Sequence, residues 1–529
     1  MIRPHGRPQG RRPNVLIFCV DQMRADHMAP DGNPVVRTPN LDRIAAAGTT
    51  FARAYCNNPI CMPARATMFT GLLPRDHGLL INGQSLRRDL PTLPGILAAA
   101  GYATHAAGKL HLTPWVPKVR PPDFERFPEC LDYWKRADGR PHGRDETDAF
   151  PTPYYGFQSV DFVGGHTSYA YGDYRRWLHE QGGEAALLTA DRALAPAAEA
   201  PSSYRMAMPA ELHYNRFIAD ATITRIEAAA APGAPPVFSW CSFPDPHLPV
   251  APPRPYCDMY DPADVAPPHA REGEAAELPG VYRRVLDGAI RPNGLVNTRH
   301  TQRQLRELIA LTYGMVSHLD AEIGRVLDAV ERTGQADETI VAFICDHGDM
   351  MGDHGLLWKA FYTFSGCVRI PWIIAAPHHP GGRRCDALTS QIDLVPTVLD
   401  LCGVEHPGLH VPETPFPRGE VQPLSPLPGR SAAPLLDGSV ESIHDEVVIE
   451  NDDASTGLRP RALVTAGHRL TVYPATGEAE LFDLREDPHE LHNLFDRRAA
   501  APLRRELTDR LLRAYCRQAP LSPLPPWNA

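Results

Sequence analysis

Four predicted strands that each end in a polar cluster constrain the fold of this 529-residue chain more than any other feature. Continuous apolar runs of strand length are typical of parallel strands that are buried on both faces. Because the carboxyl ends of parallel strands meet at one edge of a sheet, we expect the polar clusters to lie together there. The four segments are NVLIFCVD (14–21), YATHAAGK (102–109), PVFSWCSFPDPH (236–247) and TIVAFICDHGD (339–349).

Helical segments separate these strands. TPNLDRIAAAG (38–48) has a threonine cap, an early proline and a terminal glycine, and TLPGILAAAG (92–101) repeats that pattern. Apolar residues at three- and four-residue steps predict a long amphipathic helix over 304–332. The alternation predicts an α/β fold with a mostly parallel sheet flanked by helices.

Two regions interrupt the alternation. Residues 113–215 are rich in proline, glycine and aromatic side chains, which predicts an insertion over the edge where the strands end, within an α/β domain spanning 13–404. Residues 405–440 have the composition of a proline-rich linker. Short strand segments between 446 and 484 and a helix near 500–517 then predict a small antiparallel-sheet plus helix subdomain over 441–520.

Charge and hydropathy exclude several function classes. The net charge is −10 without a run rich in Lys or Arg, so no nucleic-acid partner is expected. The first apolar run is too short for a signal peptide, and no stretch reaches the 18 apolar residues of a membrane span, so a cytoplasmic location is expected. The eleven cysteines include no CxxC pair, which indicates mostly buried thiols. The sequence leaves open whether the protein forms a homo-oligomer.

The strand ends supply candidate metal ligands. Asp21, Gln22, Asp346 and His347 form an oxygen-rich set with one imidazole, which is adequate for a divalent cation. Any one of these residues alone is more often a turn former or a cap. Four of them at the ends of neighbouring strands favour a metal site.

A cysteine begins the segment CMPARATMFTG (61–71). Pro63 suits the first turn of a helix, and the free amides of a helix N-terminus favour an anion near Cys61. A thiolate phosphatase would need a Cys-x5-Arg loop, whereas Arg65 follows Cys61 by four positions. An inert thiol, a thiolate nucleophile and the precursor of a modified residue all stay open from these residues alone.

The segment CMPARATMFTG resembles the signature of the type I, formylglycine-dependent sulfatases, in which Cys-x-Pro-x-Arg directs oxidation of the cysteine. VDQMRAD, GKLHL, DPHLP and DHGDMMGDHGLLWK are similar to other blocks of that family, in the same order. LFDLREDPHELHNL (481–494) resembles its C-terminal block. The resemblance implies an alkaline-phosphatase-like α/β fold with a small C-terminal α+β subdomain.

The resemblance also implies roles for individual residues. A formylglycine-generating enzyme would convert Cys61 to formylglycine, whose aldehyde hydrate is the nucleophile. A divalent cation, Ca²⁺ or its rival Mn²⁺, would be bound beside it; Gln22 and His347 make Ca²⁺ less secure because they lower the ligand charge. The implied metal ligands are Asp21, Gln22, Cys61, Asp346 and His347; the implied catalytic residues are Cys61, Arg65, Lys109, His111, His247 and Lys359; and Asn82, Lys109, His247 and Lys359 would line the substrate pocket.

These features predict a sulfuric-ester hydrolase that acts on a small-molecule sulfate ester. The alternative is a phosphonate monoester or phosphodiester hydrolase on the same scaffold. Lys109 and His111 in GKLHL resemble the sulfatase pattern and favour the first hypothesis. A third hypothesis is a non-catalytic metal- and anion-binding protein. His247 argues against it, because a binding protein does not need an acid that protonates a leaving group. His77, His105 and His354 are predicted to be structural, and Asp245 to shape a turn.

Overall fold

The computed structural model describes residues 12–115, 128–134, 150–292, 299–407, 427–453 and 455–516. The strands of these segments are β1 Asn14–Val20, β2 Thr49–Tyr55, β3 Ala103–Gly108, β4 Ser159–Gly164, β5 Tyr171–Gly172, β6 Val237–Ser242, β7 Thr339–Cys345, β8 Trp372–Ala375, β9 Arg383–Ser390, β10 Glu446–Glu450, β11 Arg461–Thr465, β12 His468–Tyr473 and β13 Glu478–Asp483.

The α-helices of the same segments lie between and after these strands. They are α1 Pro39–Ala47, α2 Cys61–Thr70, α3 Pro74–His77, α4 Leu93–Ala99, α5 Asp173–Glu180, α6 Tyr214–Ala229, α7 Gly280–Leu286, α8 Gln302–Arg332, α9 Ser365–Val368, α10 Leu394–Leu401, α11 Ala433–Leu436 and α12 Ala501–Cys516.

A large mixed sheet forms the centre of the molecule. Its strand order among the described residues is β5-β4-β3-β6-β1-β7-β8-β2-β9. Strands β3, β6, β1 and β7 are adjacent and mutually parallel, and β1, β6 and β7 are buried along their whole length. This arrangement confirms the predicted α/β class, and it brings the four predicted polar clusters to one edge.

Strand β8 runs against the predicted alternation. It lies antiparallel to β7 on one side and to β2 on the other. Its apolar sequence IPWIIAAP predicts a buried strand but carries no information about direction, since both directions bury the same side chains. The direction is decided by where the preceding chain, which returns from the site, enters the sheet.

The prediction that the Thr38 side chain caps α1 is wrong. Thr38 precedes the helix, but its hydroxyl accepts the N–H of Ala29 instead of capping. Asp320 of α8 caps α1 in its place, because its carboxylate accepts the N–H groups of Asn40 and Leu41 at 2.8 to 3.1 Å. A cap supplied across a helix–helix contact leaves no local sequence signal.

The two interrupting regions are described only in part. Residues 116–127 and 135–149 of the predicted insertion, and 408–426 of the predicted linker, lie outside the described residues. The remainder of 113–215 includes β4, which pairs in parallel with β3 and extends the central sheet, and β5, which pairs antiparallel with β4. This region therefore adds strands to the sheet as well as side chains near its edge.

A second sheet of four antiparallel strands follows in the order β10-β11-β12-β13. Helix α12 covers one face of it, where Leu507 and Leu511 pack with Leu463, Leu470 and Leu481. No helix within the described residues combines the length and the apolar composition that crossing a bilayer requires.

Candidate active site

The carboxyl ends of the four adjacent parallel strands carry the predicted polar residues. Asp21 and Gln22 follow β1, Lys109 follows β3, and Asp346 follows β7. His247 lies in the loop after β6 and is half-buried, whereas the other four side chains are buried. The structure thus brings together residues that lie as far as 325 positions apart, Asp21 and Asp346, within one buried site.

Helix α2 begins at the same edge of the sheet. Cys61 is its first residue, and Gly71 ends it in the left-handed conformation with φ of 69°. Asn82 lies in an exposed turn, where its side-chain oxygen accepts the Met62 N–H at 3.1 Å. Asn82 therefore supports the first turn of the helix that carries Cys61.

The Cys61 thiol is buried among the candidate ligands. Its Sγ lies 2.9 Å from Lys359 Nζ, 3.2 Å from His347 Nε2 and 3.7 Å from Asp21 Oδ1. Burial, and after it the Asp21 carboxylate, raise the pKa of the thiol. A thiolate nucleophile needs the opposite shift, so this environment disfavours a thiolate enzyme.

Four of the predicted ligands form a compact set. The ligand atoms of Asp21, Cys61, Asp346 and His347 all lie within 4.8 Å of one another. His347 Nδ1 lies 3.0 Å from the Gly348 carbonyl, so an N–H there leaves the lone pair on Nε2, which faces Cys61. Burial lowers the pKa of His347 to about 4 and keeps the ring neutral, as a metal ligand must be.

Gln22 is held by Asp349, a residue that the sequence analysis missed. The Gln22 amide nitrogen donates to Asp349, and the Gln22 backbone N–H donates to Asp346 Oδ1 at 3.0 Å. Within the described residues, Gln22 Oε1 is buried and has no hydrogen-bond partner. Such an oxygen is costly unless it binds something, so it fits a place among the ligands of a cation. The one available signal was the position of Asp349 in the block DHGDMMGDHG.

Asp21 is the point where the cationic side chains meet. Lys109 Nζ donates to Oδ2, Arg65 Nη2 lies 3.3 Å from the same oxygen, and Lys359 Nζ lies 3.7 Å from Oδ1. Burial by itself would raise the pKa of Asp21, but Lys109 and Lys359 hold it well below its usual range. The carboxylate therefore stays ionised in a fully buried position.

Arg65 orients both carboxylates of the set. Its Nε donates to Asp346 Oδ2 at 2.9 Å, and its Nη2 contacts Asp21. Its Nη1 donates to the Lys109 carbonyl at 2.9 Å and to Ser242 Oγ at 3.0 Å. These contacts join β1, β3, β6 and β7 through one guanidinium group, so Arg65 fixes the geometry of the strand ends.

His247 lies over a second imidazole, that of His166. The two rings are parallel within 4° and their centroids are 3.5 Å apart. His247 Nδ1 lies 2.6 Å from the Leu248 carbonyl, which leaves Nε2 as the atom that can exchange a proton with a substrate. Burial, then His166 and Lys359, hold the pKa of His247 well below its usual range.

His166 is a second residue that the sequence analysis missed. Its Nε2 lies 2.8 Å from Lys109 Nζ and 3.7 Å from Asp21 Oδ2, and burial lowers its pKa to about 3. His166 stands in the 113–215 region without a motif around it, so only the pairing of β4 with β3 brings it to the site.

Asp245 does not orient the His247 ring. Its carboxylate accepts from the Tyr214 hydroxyl and from Asn215 Nδ2, and its carbonyl accepts the Asp21 N–H at 3.2 Å. These contacts tie the loop after β6 to α6 and to β1, in agreement with the predicted role as a turn residue.

His111 lies beside Lys109 in the same loop. Its backbone is in the left-handed region with φ of 61°, and its ring stacks on Trp115 at 3.8 Å and 17°. Burial, followed by Lys109 and Arg65, holds the pKa of His111 well below its usual range. Lys109 Nζ also lies 4.7 Å over the Trp115 ring, so Trp115 links the two side chains.

The histidines predicted to be structural have local partners. His77 Nε2 lies 3.2 Å from Thr67 Oγ1, and its Nδ1 accepts the Leu79 N–H at 3.1 Å. His105 Nε2 lies 2.9 Å from Asp161, and the ring of His354 stacks on Phe364.

Comparison with known proteins agrees with this geometry. A family model described as "Sulfatase" matches residues 13–404. The chain is 27% identical over 493 residues to an arylsulfatase of Clostridium perfringens, covering 92% of this chain and 90% of that protein. It is 28% identical over 496 residues to a choline-sulfatase of Rhizobium meliloti, covering 91% and 82% respectively.

A solved structure extends the comparison to the fold. The phosphonate monoester hydrolase of Agrobacterium radiobacter matches with a TM-score of 0.76 and 25% identity, over 95% of each chain. The alkaline-phosphatase-like architecture expected from the sequence is therefore present over nearly the whole chain.

Proposed function

This chain belongs to the sulfatase family, and from that premise we propose that it is a sulfuric-ester hydrolase that works through a formylglycine made from Cys61 and one divalent cation. The observation that carries the proposal is the position of Cys61. It is the first residue of a helix, and its Sγ lies within 3.2 Å of both Lys359 Nζ and His347 Nε2. A modified residue there would meet fixed cations and metal-type ligands at once.

The residues present fit a divalent cation. Asp21, Gln22, Asp346 and His347 would hold it together with residue 61, and the unpartnered Gln22 Oε1 supports that assignment. When bound, the cation would act as a Lewis acid toward the attacking hydroxyl and the sulfate. Ca²⁺ is favoured by the carboxylate and amide oxygens, and Mn²⁺ is the rival because of the imidazole.

The other side chains would handle the anion and the protons. Lys109 and Lys359 would bind sulfate oxygens and supply fixed positive charge where charge develops. His247 would protonate the leaving oxygen from Nε2; burial is the main cause of its lowered pKa, and a bound anion would favour the protonated ring by offsetting the cations that lower that pKa further. His111 would accept the proton whose loss frees sulfate from residue 61. Arg65 would keep Asp21 and Asp346 in place.

The alternative is a phosphonate monoester hydrolase. The overall match to the enzyme of Agrobacterium radiobacter favours it. The Lys109-x-His111 pair favours the sulfatase, because GKLHL resembles the sulfatase block. Lys109 donates to Asp21, and both Lys109 and His111 contact Trp115.

The deciding experiment compares p-nitrophenyl sulfate with p-nitrophenyl phenylphosphonate after chelation and addition of Ca²⁺ or Mn²⁺. We expect kcat/KM to be larger for the sulfate by about 100-fold or more, or about 3 kcal/mol in the transition state. A preference for the phosphonate would overturn the proposal and leave Lys109 and His111 needing another role.

A mass spectrum of the peptide that contains residue 61 tests the modification separately. Conversion to formylglycine exchanges sulfur for oxygen with the loss of two hydrogens, so the peptide mass falls. An unmodified thiol in a protein coexpressed with a formylglycine-generating enzyme, together with no turnover, would favour the non-catalytic hypothesis.

A further inference from the structure

A buried carboxylate outside the proposed catalytic set holds the loop that carries His111. Glu129 is 0% exposed and lies in the described segment 128–134. Its two oxygens accept three successive backbone N–H groups: those of His111, of Leu112 at 2.8 Å and of Thr113 at 3.1 Å. A carboxylate that accepts three neighbouring amides fixes the peptide planes of that stretch.

Two tyrosines of the same region hold Glu129 itself. The Tyr154 hydroxyl donates to Glu129 Oε1 at 2.7 Å, and the Tyr171 hydroxyl donates to the Glu129 carbonyl. Burial raises the pKa of Glu129, but the three backbone groups that face its oxygens can only donate, so they hold the ionised form. Glu129 is therefore anchored at both its side chain and its backbone.

The backbone that Glu129 holds is in an unfavourable conformation. A non-glycine residue in the left-handed region costs on the order of 1 kcal/mol, and His111 has φ of 61°. Without the carboxylate, the three N–H groups would lose their partner in a buried place and the loop would relax. The His111 ring, whose Nδ1 is buried without a partner among the described residues, would then leave its position over Trp115.

We propose that Glu129 is a positioning residue for the release of sulfate, acting by holding the 111–113 backbone so that His111 keeps its position against Trp115 and beside Lys109. The proposal rests on the proposed function, in which the proton of the second hydroxyl of residue 61 passes to His111. The carbonyl of residue 61 then re-forms, and sulfate leaves with the electron pair of the bond that joined it to that residue. Glu129 itself does not touch the substrate.

The test is steady-state and quenched-flow kinetics on Glu129→Gln. We call the Glu129 carboxylate and the three N–H groups of 111–113 the clamp. In Glu129→Gln the side-chain NH₂ replaces one of the two oxygens, so it faces either the His111 N–H or the N–H groups of Leu112 and Thr113, and the hydrogen bonds on that side are lost. We expect kcat to fall about 10- to 100-fold and KM to fall with it, so that kcat/KM changes little. Sulfate retained on the residue-61 peptide after quenching should increase.

Two further variants separate positioning from general damage. Tyr154→Phe removes the hydroxyl that holds Glu129 and should give a smaller fall in kcat of the same kind. Tyr174→Phe is the matched control, because its buried hydroxyl donates to the Leu212 carbonyl and not to the clamp; its kinetics should not change. Glu129→Asp should recover part of the kcat lost in Glu129→Gln.

Amide hydrogen exchange at 111–113 supplies a readout independent of turnover. These amides should be protected in the unaltered protein and exchange faster in Glu129→Gln. Faster exchange with an unchanged kcat, or equal falls in kcat and kcat/KM, would overturn the positioning role. If the unaltered protein hydrolyses no sulfate ester, the proposed function fails, and the exchange result still reports whether the clamp exists.

Discussion

Two buried charged clusters in this molecule use the same kinds of side chain for different ends. The strand-end cluster contains Asp21, Arg65, Lys109, Asp346 and Lys359, and the subdomain cluster contains Arg469, Glu480 and Glu490. All of these side chains are 8% exposed or less. Burying charge is costly in both places, so the difference lies in how each cluster is balanced.

The subdomain cluster sets one cation, Arg469, against two carboxylates, Glu480 and Glu490. Arg469 donates to Glu490, to Glu480 Oε1 at 3.0 Å, and to Thr363 and Thr471 at 2.8 and 2.7 Å. Its guanidinium also lies over the rings of Phe364 and Phe482 at 4.9 and 4.8 Å. Thr363 and Phe364 precede α9, so the cluster joins the small sheet to the segment that follows Lys359.

The strand-end cluster instead concentrates cations around Asp21. Lys109, Lys359 and Arg65 all lie within 4 Å of Asp21, while Gln22 Oε1 lacks a partner in the part of the chain that is described. Unpartnered atoms do not separate the two clusters, since Arg469 Nη2 and Glu480 Oε2 also lack a hydrogen-bond partner among the described residues. The charges do: two carboxylates face one cation in the subdomain cluster, whereas three cations face two carboxylates in the strand-end cluster. The comparison teaches that a cluster of the catalytic kind keeps positive charge ready for an anion from outside.

The largest expected effect comes from Cys61, whose Sγ lies against Asp21 and Lys359 of the strand-end cluster. Cys61→Ala removes the proposed nucleophile, and we expect sulfate-ester turnover to fall on the order of 10⁴-fold or more. Thermal unfolding should stay nearly the same, since one sulfur is removed from a helix N-terminus. Cys56→Ala, another buried cysteine, is the control that should keep its activity. Comparable losses in both variants would place the chemistry elsewhere.

Removing a cation from the strand-end cluster should cost activity but little stability. For Lys359→Met we expect kcat/KM to fall by about 10²- to 10³-fold, as when one donor to a developing charge is lost. The free energy of unfolding should change by less than about 1 kcal/mol, because Lys109 and Arg65 still face Asp21. Kinetics and chemical denaturation measure the two quantities. A large loss of stability with intact turnover would show that Lys359 has a structural role and not a catalytic one.

The same change in the subdomain cluster should do the opposite. Arg469→Met leaves Glu480 and Glu490 buried without their cation, so we expect a loss of about 3–5 kcal/mol in the free energy of unfolding. The kcat of the protein that remains folded should stay within about threefold of the original. Adding Glu490→Gln to Arg469→Met should return part of the stability, and its failure to do so would argue that unpaired buried carboxylates are not the cause of the loss.

The last expected effect concerns acid. Burial lowers the pKa of His347 to about 4 and that of His77 to about 3, below the value of about 6.5 for an unfolded histidine. Each ring therefore stabilises the fold above pH 6.5, and this stability is lost as pH falls toward those values, by about 1.4 kcal/mol per pH unit per ring. In protein from which cations have been removed with a chelator, the free energy of unfolding should depend less on pH between 6.5 and 4 in His347→Gln and in His77→Gln than in the unaltered protein.

Added cation distinguishes these two histidines. Mn²⁺ or Ca²⁺ should raise the melting temperature of the unaltered protein and of His77→Gln by binding the native state. His347→Gln should show a smaller rise, because one proposed ligand is gone. Equal responses would remove His347 from the ligand set.

Much of the site was visible in the sequence because strand ends are local features. Asp21, Lys109 and Asp346 each follow a run whose composition indicates a buried strand, and parallel strands share an edge. The start of α2 at Cys61 and the small sheet after 446 also followed from local patterns. The resemblance to the sulfatases added roles that spacing alone could not assign.

Other parts of the site had no local signal. His166 reaches Lys109 because β4 pairs with β3, and Glu129 reaches the 111–113 amides from a region whose composition indicates only loops. The caps and partners supplied by Asp320 and Asp349 likewise come from elements distant in the chain. These contacts form between residues that the sequence separates, so no periodicity or turn preference announces them.

The sequence by itself determined the α/β class, the four strands that carry the site, the family, and the candidate ligands and cations around Cys61. Only the tertiary structure decided the direction of β8, the pairing of His166 with His247, the clamp on His111, and the meeting of three cations on Asp21. The reason is that burial and periodicity are properties of one segment, whereas direction, pairing and charge balance depend on which segments fold against each other.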